Sequence, residues 1–467
     1  MIRIFRHYMP ASLLALGLLE GLVLFGAMYA GVALRFATFG PVEISAQIPV
    51  YPLYPKALVF SLTMLGIMVA MGLYQREYQQ RVWHMARLMM SFVIGLAVIP
   101  MIFYVVPALF LGRGAFALAF LVAFIGVAVV RFVYLTVSSR SAIKRRVLVL
   151  GTGTRAAKIS ALESASGGRQ GFKVIGYLPT QKGHHFVPRD KVLADRGPLC
   201  DIARKYEADE IVIGVRERRG GGLPIDDVLQ CKVSGIPVVE LSSFFERETG
   251  HVQLQSLNPS WMIFSDGFHQ GLLRDVSKRS FDIVVSLLLL ALTLPLMAVT
   301  ALLIRLESPG PVLYRQERVG QGGRVFHVLK FRSMRADAEK DGQPQWAQQN
   351  DSRVTRVGGV IRKLRIDELP QIFNVLKGEM SFVGPRPERL FFVEQLARQI
   401  SYYAFRHNVK PGITGWAQIR YPYGASVEDA IEKLQYDLYY VKNHTLFLDL
   451  VVLFQTAQVI LFGKGAR

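Results

Sequence analysis

The chain has 467 residues, 51% of them hydrophobic, and a mean hydropathy of +0.29, which excludes an ordinary soluble enzyme and calls for membrane segments. Its net charge of +20 asks for an anionic partner; nucleic acid, anionic lipid headgroups and phosphorylated substrates all qualify, and long apolar runs favour the last two. The two cysteines, Cys200 and Cys231, show no CxxC spacing, so neither a disulfide framework nor a zinc site is supported.

Four apolar runs open the chain at 11–34, 57–73, 88–111 and 115–137. Each is close to the ~20 residues needed to cross a hydrocarbon core, and together they predict a membrane α-helical bundle over residues 1–140. The start lacks a cleavage signal, which reads as an anchor. Arg76, Arg81 and Arg87 follow the second run, and Arg140, Lys144, Arg145 and Arg146 follow the fourth. The loops after the first and third runs hold fewer cations, so both ends of the bundle are placed in the cytoplasm. Glu20 lies inside the first run, either as a functional acid or as an acid facing the bundle interior with a polar partner.

Residues 141–250 alternate between strand and helix patterns, with strands expected at 146–150, 173–178, 210–215 and 236–241. The turn Gly151-x-Gly153-x-x-Ala156 matches the looser dinucleotide fingerprint and suggests a Rossmann-like α/β domain. The second strand ends Gly176-Tyr177-Leu178-Pro179, without the acid that would hold a ribose. A regulatory or dimer-building role fits that pattern better. A linker over 251–273 precedes the last domain, 274–467.

A fifth apolar run, 283–304, carries Pro295 at its centre and cations at both ends: Arg274, Lys278 and Arg279 before it, Arg305 after it. Proline removes a helix hydrogen bond and bends the chain, and equal cationic flanks argue that the run enters and returns on one side. A re-entrant membrane helix broken at Pro295 is expected. The run at 446–462 reads as an amphipathic surface helix or as a helix packed on the domain core.

Between them lie motifs dense in cations and turns. Ser308-Pro309-Gly310-Pro311 leads to Arg315 and Arg318, and Lys330-Phe331-Arg332 follows. After a polar stretch at 336–350 come Arg353 and Arg356, then Gly384-Pro385-Arg386-Pro387, then Lys410-Pro411-Gly412-Ile413-Thr414-Gly415-Trp416. Such turns free backbone N–H groups for anion contacts. At the centre stands Arg362-Lys363-Leu364-Arg365-Ile366-Asp367-Glu368-Leu369-Pro370. A carboxylate held among cations can attack phosphorus while the same cations hold the phosphates. Asp ahead of Glu-Leu-Pro is also a helix N-cap signature.

These ordered motifs resemble the bacterial sugar transferases, the monotopic polyprenyl-phosphate phosphoglycosyl transferases, over about residues 274–467. The four-helix region and Rossmann-like domain resemble the large subgroup that begins exopolysaccharide, capsule or O-antigen repeat units. The resemblance implies an α/β monotopic phosphoglycosyl transferase domain that moves a sugar-1-phosphate from a UDP-sugar to undecaprenyl phosphate and releases UMP. It implies that Asp367 is the nucleophile, forms a phosphosugar–aspartyl intermediate and binds Mg²⁺, and that Glu368 assists. It implies phosphate contacts by Arg362 and Arg386 and by Lys330 of the Lys-Phe-Arg motif. Arg332, Arg353 and Arg356 complete the candidate phosphate-binding set. Membrane lipids and a homodimer partner, but no nucleic acid, go with this reading, as does a bacterial inner membrane location with the catalytic domain on the cytoplasmic face. The family often has Ser before the helix-breaking Pro, where this chain has Leu294; the hydroxyl of Thr293 is a substitute.

Other classes fit less of the chain. A processive glycosyltransferase would carry an Asp-x-Asp motif, which is absent. A membrane-anchored NAD-dependent nucleotide-sugar dehydratase would carry a Tyr-x-x-x-Lys pair in the α/β region, also absent. A non-enzymatic membrane scaffold or sensor leaves the motifs of residues 308–420 unexplained.

Overall fold

A computed structural model describes residues 2–4, 7–9, 11–37, 52–74, 81–138, 144–165, 171–180, 186–195, 197–215, 223–257, 268, 271–335, 353–422, 424 and 426–461. The polar stretch at 336–350 lies outside them. The chain divides into two compact units, with the main boundary between Phe244 and Phe245.

In the first unit, α1 (Ala11–Phe36), α2 (Leu53–Ala70), α3 (Arg81–Val105) and α4 (Arg113–Ser138) follow the four apolar runs. They are four of the five described helices long and apolar enough to cross a membrane. A Cβ on Gly31 of α1 would stand 2.4 Å from the Ala119 backbone nitrogen of α4, so glycine permits this close packing. Glu20 takes the second of its two readings. It is buried, its Oε1 lies 2.8 Å from Arg131 Nε, and Tyr74 donates its hydroxyl to Oε2.

The α/β part of this unit is a four-stranded parallel sheet in the order β2-β1-β3-β4, where β1 is Arg145–Leu150, β2 Phe172–Leu178, β3 Glu210–Ile213 and β4 Val238–Glu240. Strand β1 is central, and its last four residues are buried. Between the strands run α5 (Thr154–Ala165), α6 (Leu199–Lys205) and α7 (Ile225–Val233), and α8 (Leu241–Thr249) follows β4 directly. Gly151 holds the strand-to-helix turn at φ +115, where an L side chain is strained. Cys200 and Cys231 are buried in the helix–sheet core.

The main body of the second unit begins at Phe245 and takes in residues that sequence assigns to a linker. The Gly250 carbonyl accepts from Trp416 Nε1 at 2.8 Å, and Val252 is a core residue whose amide donates to Gln435. Residues 251–257 are therefore part of the domain. The fifth apolar run lies within α9, Leu272–Glu307, and its helix is not interrupted at Pro295. This corrects the expected break: proline here sits inside continuous helix. Thr293 donates to the Leu289 carbonyl, four residues back, rather than to the Ala291 carbonyl that Pro295 deprives of its partner.

Around α9 the unit is built from an antiparallel hairpin, β5 (Leu313–Val319) and β6 (Val325–Phe331), and a short parallel pair, β7 (Ser381–Val383) and β8 (Gly412–Thr414). The helices are α10 (Arg356–Lys363), α11 (Gln371–Lys377), α12 (Leu390–Gln399), α13 (Trp416–Arg420), α14 (Val427–Asn443) and α15 (Leu446–Leu461). Val328, Val375, Phe382, Trp416, Leu438 and Val452 share its main core. For α15 the core-packed reading holds: Leu448 and Val452 are buried, and buried Asp449 meets Lys278 at 2.6 Å.

Candidate active site

The acidic pair sits in a single turn between two short helices. Thr355 caps α10 by accepting from the Gly358 amide at 2.9 Å. A Cβ on Gly358 would lie 2.0 Å from the Ser333 carbonyl, so this helix packs backbone to backbone on the strand that leaves β6. Helix α10 ends at Lys363 with Leu364 as its C-terminal cap, and Arg365 then adopts a left-handed φ of 58°. That conformation is uncommon outside glycine, and here it reverses the chain into a 3₁₀ turn, Ile366–Glu368. Asn374 fixes the far side: its amide donates to the His327 carbonyl at 2.7 Å and its oxygen accepts from the Leu329 amide at 3.0 Å. This ties α11 to β6 and brings the acidic turn to Lys330.

The two acids have different surroundings. Glu368 Oε1 accepts from Lys330 Nζ at 3.3 Å and Arg386 Nη2 at 3.1 Å, with Arg365 3.9 Å away. Burial alone would raise the Glu368 carboxyl, but the charges of Arg386, Lys330 and Arg365 outweigh it and hold the group down at about 2. Asp367 is raised above its ordinary range, first by burial and then by the neighbouring Glu368 charge, against the pull of Lys330, Arg365 and Arg362. Burial lowers Lys330. Asp367 Oδ1 is buried and has no hydrogen-bond partner. Neither acid caps α11, whose N-terminal boundary is Pro370 without a side-chain cap. The capping reading of the sequence therefore fails, and the orphan oxygen needs another explanation.

A shallow, solvent-open pocket is lined by Lys330 and Arg386, the two cations that bond Glu368, together with Arg318, Gln371, Pro387 and Gly412. The glycines of the last two motifs shape its rim. A Cβ on Gly412 would meet the Gly384 nitrogen at 2.1 Å, and one on Gly415 the Gly384 oxygen at 2.2 Å. Only glycine lets β8 lie this close to the loop that carries Arg386.

Of the candidate phosphate ligands, Lys330 and Arg386 bond Glu368, and the Arg362 charge acts on Asp367 without a contact to it. Arg332 does neither. Its buried guanidinium donates to the carbonyls of Ser308 and Pro309 at 2.7 and 2.8 Å and to the Ser308 hydroxyl at 2.9 Å, so it fastens the end of α9. Two residues apart, Lys330 and Arg332 would share a face if the strand continued, but β6 ends at Phe331 and Arg332 lies past it, so the two are separated in role. Arg353 and Arg356 lie at the approach to α10. The Arg353 carbonyl accepts from the Arg335 amide, and exposed Arg356 begins the helix with its amide on Glu307 at 2.7 Å. Sequence reasoning passed over Arg365 and Arg318. The first was one of three cations in a run. The second shows its position only when the hairpin pairs Arg318 with Phe326.

The sequence profile described as "Bacterial sugar transferase" matches residues 273–463. Undecaprenyl-phosphate galactose phosphotransferase of Salmonella typhimurium is 33% identical over 355 residues, which cover 69% of each chain. The chain belongs to the bacterial sugar transferase family. It is also 45% identical, over 259 residues, to UDP-N-acetylgalactosamine-undecaprenyl-phosphate N-acetylgalactosaminephosphotransferase of Aeromonas hydrophila, covering 56% of this chain and 60% of that one. It is 45% identical, over 193 residues, to UDP-glucose:undecaprenyl-phosphate glucose-1-phosphate transferase of Escherichia coli K12, covering 40% of this chain and 41% of that one. The match thus spans less than two thirds of these last two relatives. The membrane helices and α/β architecture agree with a membrane-anchored member of this family.

Proposed function

We propose that this protein transfers a sugar-1-phosphate from a UDP-sugar to undecaprenyl phosphate, releasing UMP, as the first step of an exopolysaccharide, capsule or O-antigen repeat unit. The observation that carries the mechanism is the contrast within the acidic pair: Glu368 is engaged by Lys330 and Arg386, while the Asp367 oxygen is buried without a partner. An Asp367 oxygen attacks the β-phosphorus of the UDP-sugar. The bond to the bridging oxygen breaks and UMP leaves with its electron pair. An oxygen of the lipid phosphate then attacks the same phosphorus, the Asp367–phosphorus bond breaks, and the carboxylate is restored. Lys330, Arg386 and Arg362 stabilise the phosphoryl charge, and Glu368 keeps Lys330 and Arg386 aimed.

The residues present fit a magnesium ion. The buried Asp367 oxygen is a hard acceptor lacking a donor, and Mg²⁺ characteristically takes one or two carboxylates together with substrate phosphates. Bound there, it would neutralise diphosphate charge.

We read α9 as re-entrant, with the catalytic domain on the cytoplasmic face of the inner membrane. Asp282 accepts from Ser381 Oγ and the Phe382 amide at 3.0 and 3.2 Å, and Glu307 near the other end accepts from the Arg356 and Val357 amides at 2.7 and 3.1 Å. A helix that crossed ~30 Å of hydrocarbon would not have both ends bonded to one water-soluble body. Leu292, Leu294 and Leu296 between these anchors are exposed, an apolar face open to lipid along the unbroken helix. The parallel sheet and glycine turn of the first unit support a Rossmann-like domain. The test is UMP release from UDP-N-acetylgalactosamine, UDP-glucose and UDP-galactose. Release that depends on undecaprenyl phosphate is expected with at least one, and no release with any would remove the reading.

A further inference from the structure

Arg386 rides on a segment, Gly384 to Glu388, that is neither helix nor strand and contains two prolines. Such a segment cannot build a hydrogen-bond ladder of its own, because Pro385 and Pro387 have no N–H. Its four successive carbonyls are instead held from outside. Pro385 O accepts from the Gly412 amide at 3.0 Å and Glu388 O from the Val319 amide at 3.0 Å. Arg386 O accepts from Arg406 Nη2 at 2.9 Å, and Pro387 O from Arg318 Nη1 at 3.0 Å. The arch is thus fixed by β8, by the end of β5 and by two guanidinium groups.

Arg406 differs from an ordinary surface cation. It lies in a 3₁₀ segment, Tyr403–Asn408, and is 6% exposed, while its partner Asp437 on α14 is 2% exposed. Nε donates to Asp437 Oδ2 at 3.0 Å, Nη2 lies 2.8 Å from the same oxygen, and Nη1 donates to the Tyr403 hydroxyl at 2.9 Å. Burying such a pair sacrifices the hydration of both ions, so the pair is weak evidence for stability alone. What it does achieve is orientation: a planar fork clamped by Asp437 and Tyr403 has one direction left for Nη2, toward the Arg386 carbonyl.

We propose that Arg406, held by Asp437 and Tyr403, is a positioning residue that sets Arg386 against Glu368 and the phosphates, through the chain Asp437–Arg406–Arg386–Glu368. This rests on the reaction class proposed above. In that scheme Arg386 meets charge that develops in the transition state, where a small misplacement is costly. Arg406 itself touches neither Glu368 nor the pocket; it acts through the arch.

The experiment is a double-mutant cycle in the full-length protein. Arg406→Lys keeps the charge but cannot hold Asp437, Tyr403 and the Arg386 carbonyl together. Tyr403→Phe is the milder second variant, removing one hydrogen bond and no charge. Arg406→Lys is expected to lower kcat/KM for the UDP-sugar by about 30-fold and Tyr403→Phe by about 5-fold, while in an Arg386→Ala background each costs less than about 2-fold, because residues acting through one another are non-additive. Losses that multiply in the double variants would show that Arg406 supports the fold in general and would overturn the proposal. A second readout needs no substrate. Hydrogen exchange at the Arg386, Glu388 and Arg389 amides should quicken about 10-fold in Arg406→Lys, with β1 to β4 unchanged. If wild type releases no UMP from any UDP-sugar, the reaction class fails, and exchange alone decides the positioning: an arch as protected as in wild type refutes it.

Discussion

Neutralising either member of the acidic pair should abolish or cripple transfer, but the two changes should move stability in opposite directions. Glu368 lies at about 2 against an ordinary 4.5, which corresponds to at most about 3 kcal/mol favouring the fold at neutral pH. Glu368→Gln removes that contribution and leaves Lys330, Arg365 and Arg386 facing each other without their common anion. At roughly 2–4 °C per kcal/mol for a unit of this size, melting should fall by roughly 10 °C. Asp367 is displaced the other way by burial and by the Glu368 charge, so its ionised form is a burden on the folded state. Asp367→Asn should therefore raise stability. Thermal unfolding of both variants in lipid nanodiscs, followed by intrinsic fluorescence, measures this. A depressed carboxyl contributes above its unfolded value and loses that contribution as pH falls through its folded one. The gap between wild type and Glu368→Gln should therefore hold at pH 7 and close as pH drops from about 4.5 toward 2. A Glu368→Gln protein as stable as wild type, or an Asp367→Asn protein destabilised by a similar amount, would refute the assigned electrostatics.

Three further outcomes follow from the same geometry. Arg332→Ala should lower unfolding stability by roughly 3 kcal/mol, through the charged hydrogen bonds lost at the end of α9, while KM for the UDP-sugar stays within about 2-fold; a raised KM with unchanged melting would return Arg332 to the phosphate site. Transfer by wild type should fall on the acid side as Asp367 takes up a proton, at a pH above the ordinary aspartate value of 3.8, and residual transfer by Glu368→Gln should lose its acid limb at lower pH, because the neighbouring negative charge is gone; a limb that moves upward contradicts this. Cysteines placed at Asp275 and Ser308 should both react with an impermeant thiol reagent from the cytoplasmic face of inverted vesicles, and labelling from opposite faces would make α9 a crossing helix.

What sequence conveyed best was anything carried by period or by local chemistry. The apolar runs marked all four helices, although the third begins at Arg81 rather than at 88, and the strands of the α/β domain emerged from short apolar stretches separated by helical patterns. The acidic pair was legible because a carboxylate among cations is an unusual local composition, whereas Lys330 and Arg386, distant from it in sequence, came only from the family resemblance. Long-range commitments were not legible. Whether Arg332 faces phosphate or the end of α9 depends on where Ser308 returns in space. Whether 251–257 is a linker depends on Trp416 and Gln435, far along the chain. Pro295 looked like a break because its local cost is large, yet the helix continues through it. Arg406 gave no local signal and Arg318 stood out only as one cation of a motif, since their task is to hold the carbonyls of a loop distant in sequence.

The central claim is that Asp367 becomes covalently bonded to the sugar phosphate. Incubation with a UDP-sugar radiolabelled in its β-phosphate, without lipid acceptor, tests it most directly. Wild type should retain label and release UMP in equal amount, the label should leave when undecaprenyl phosphate is added, and Asp367→Asn should acquire none. Label retained by Asp367→Asn, or a wild type that turns over without ever carrying label, would contradict the account.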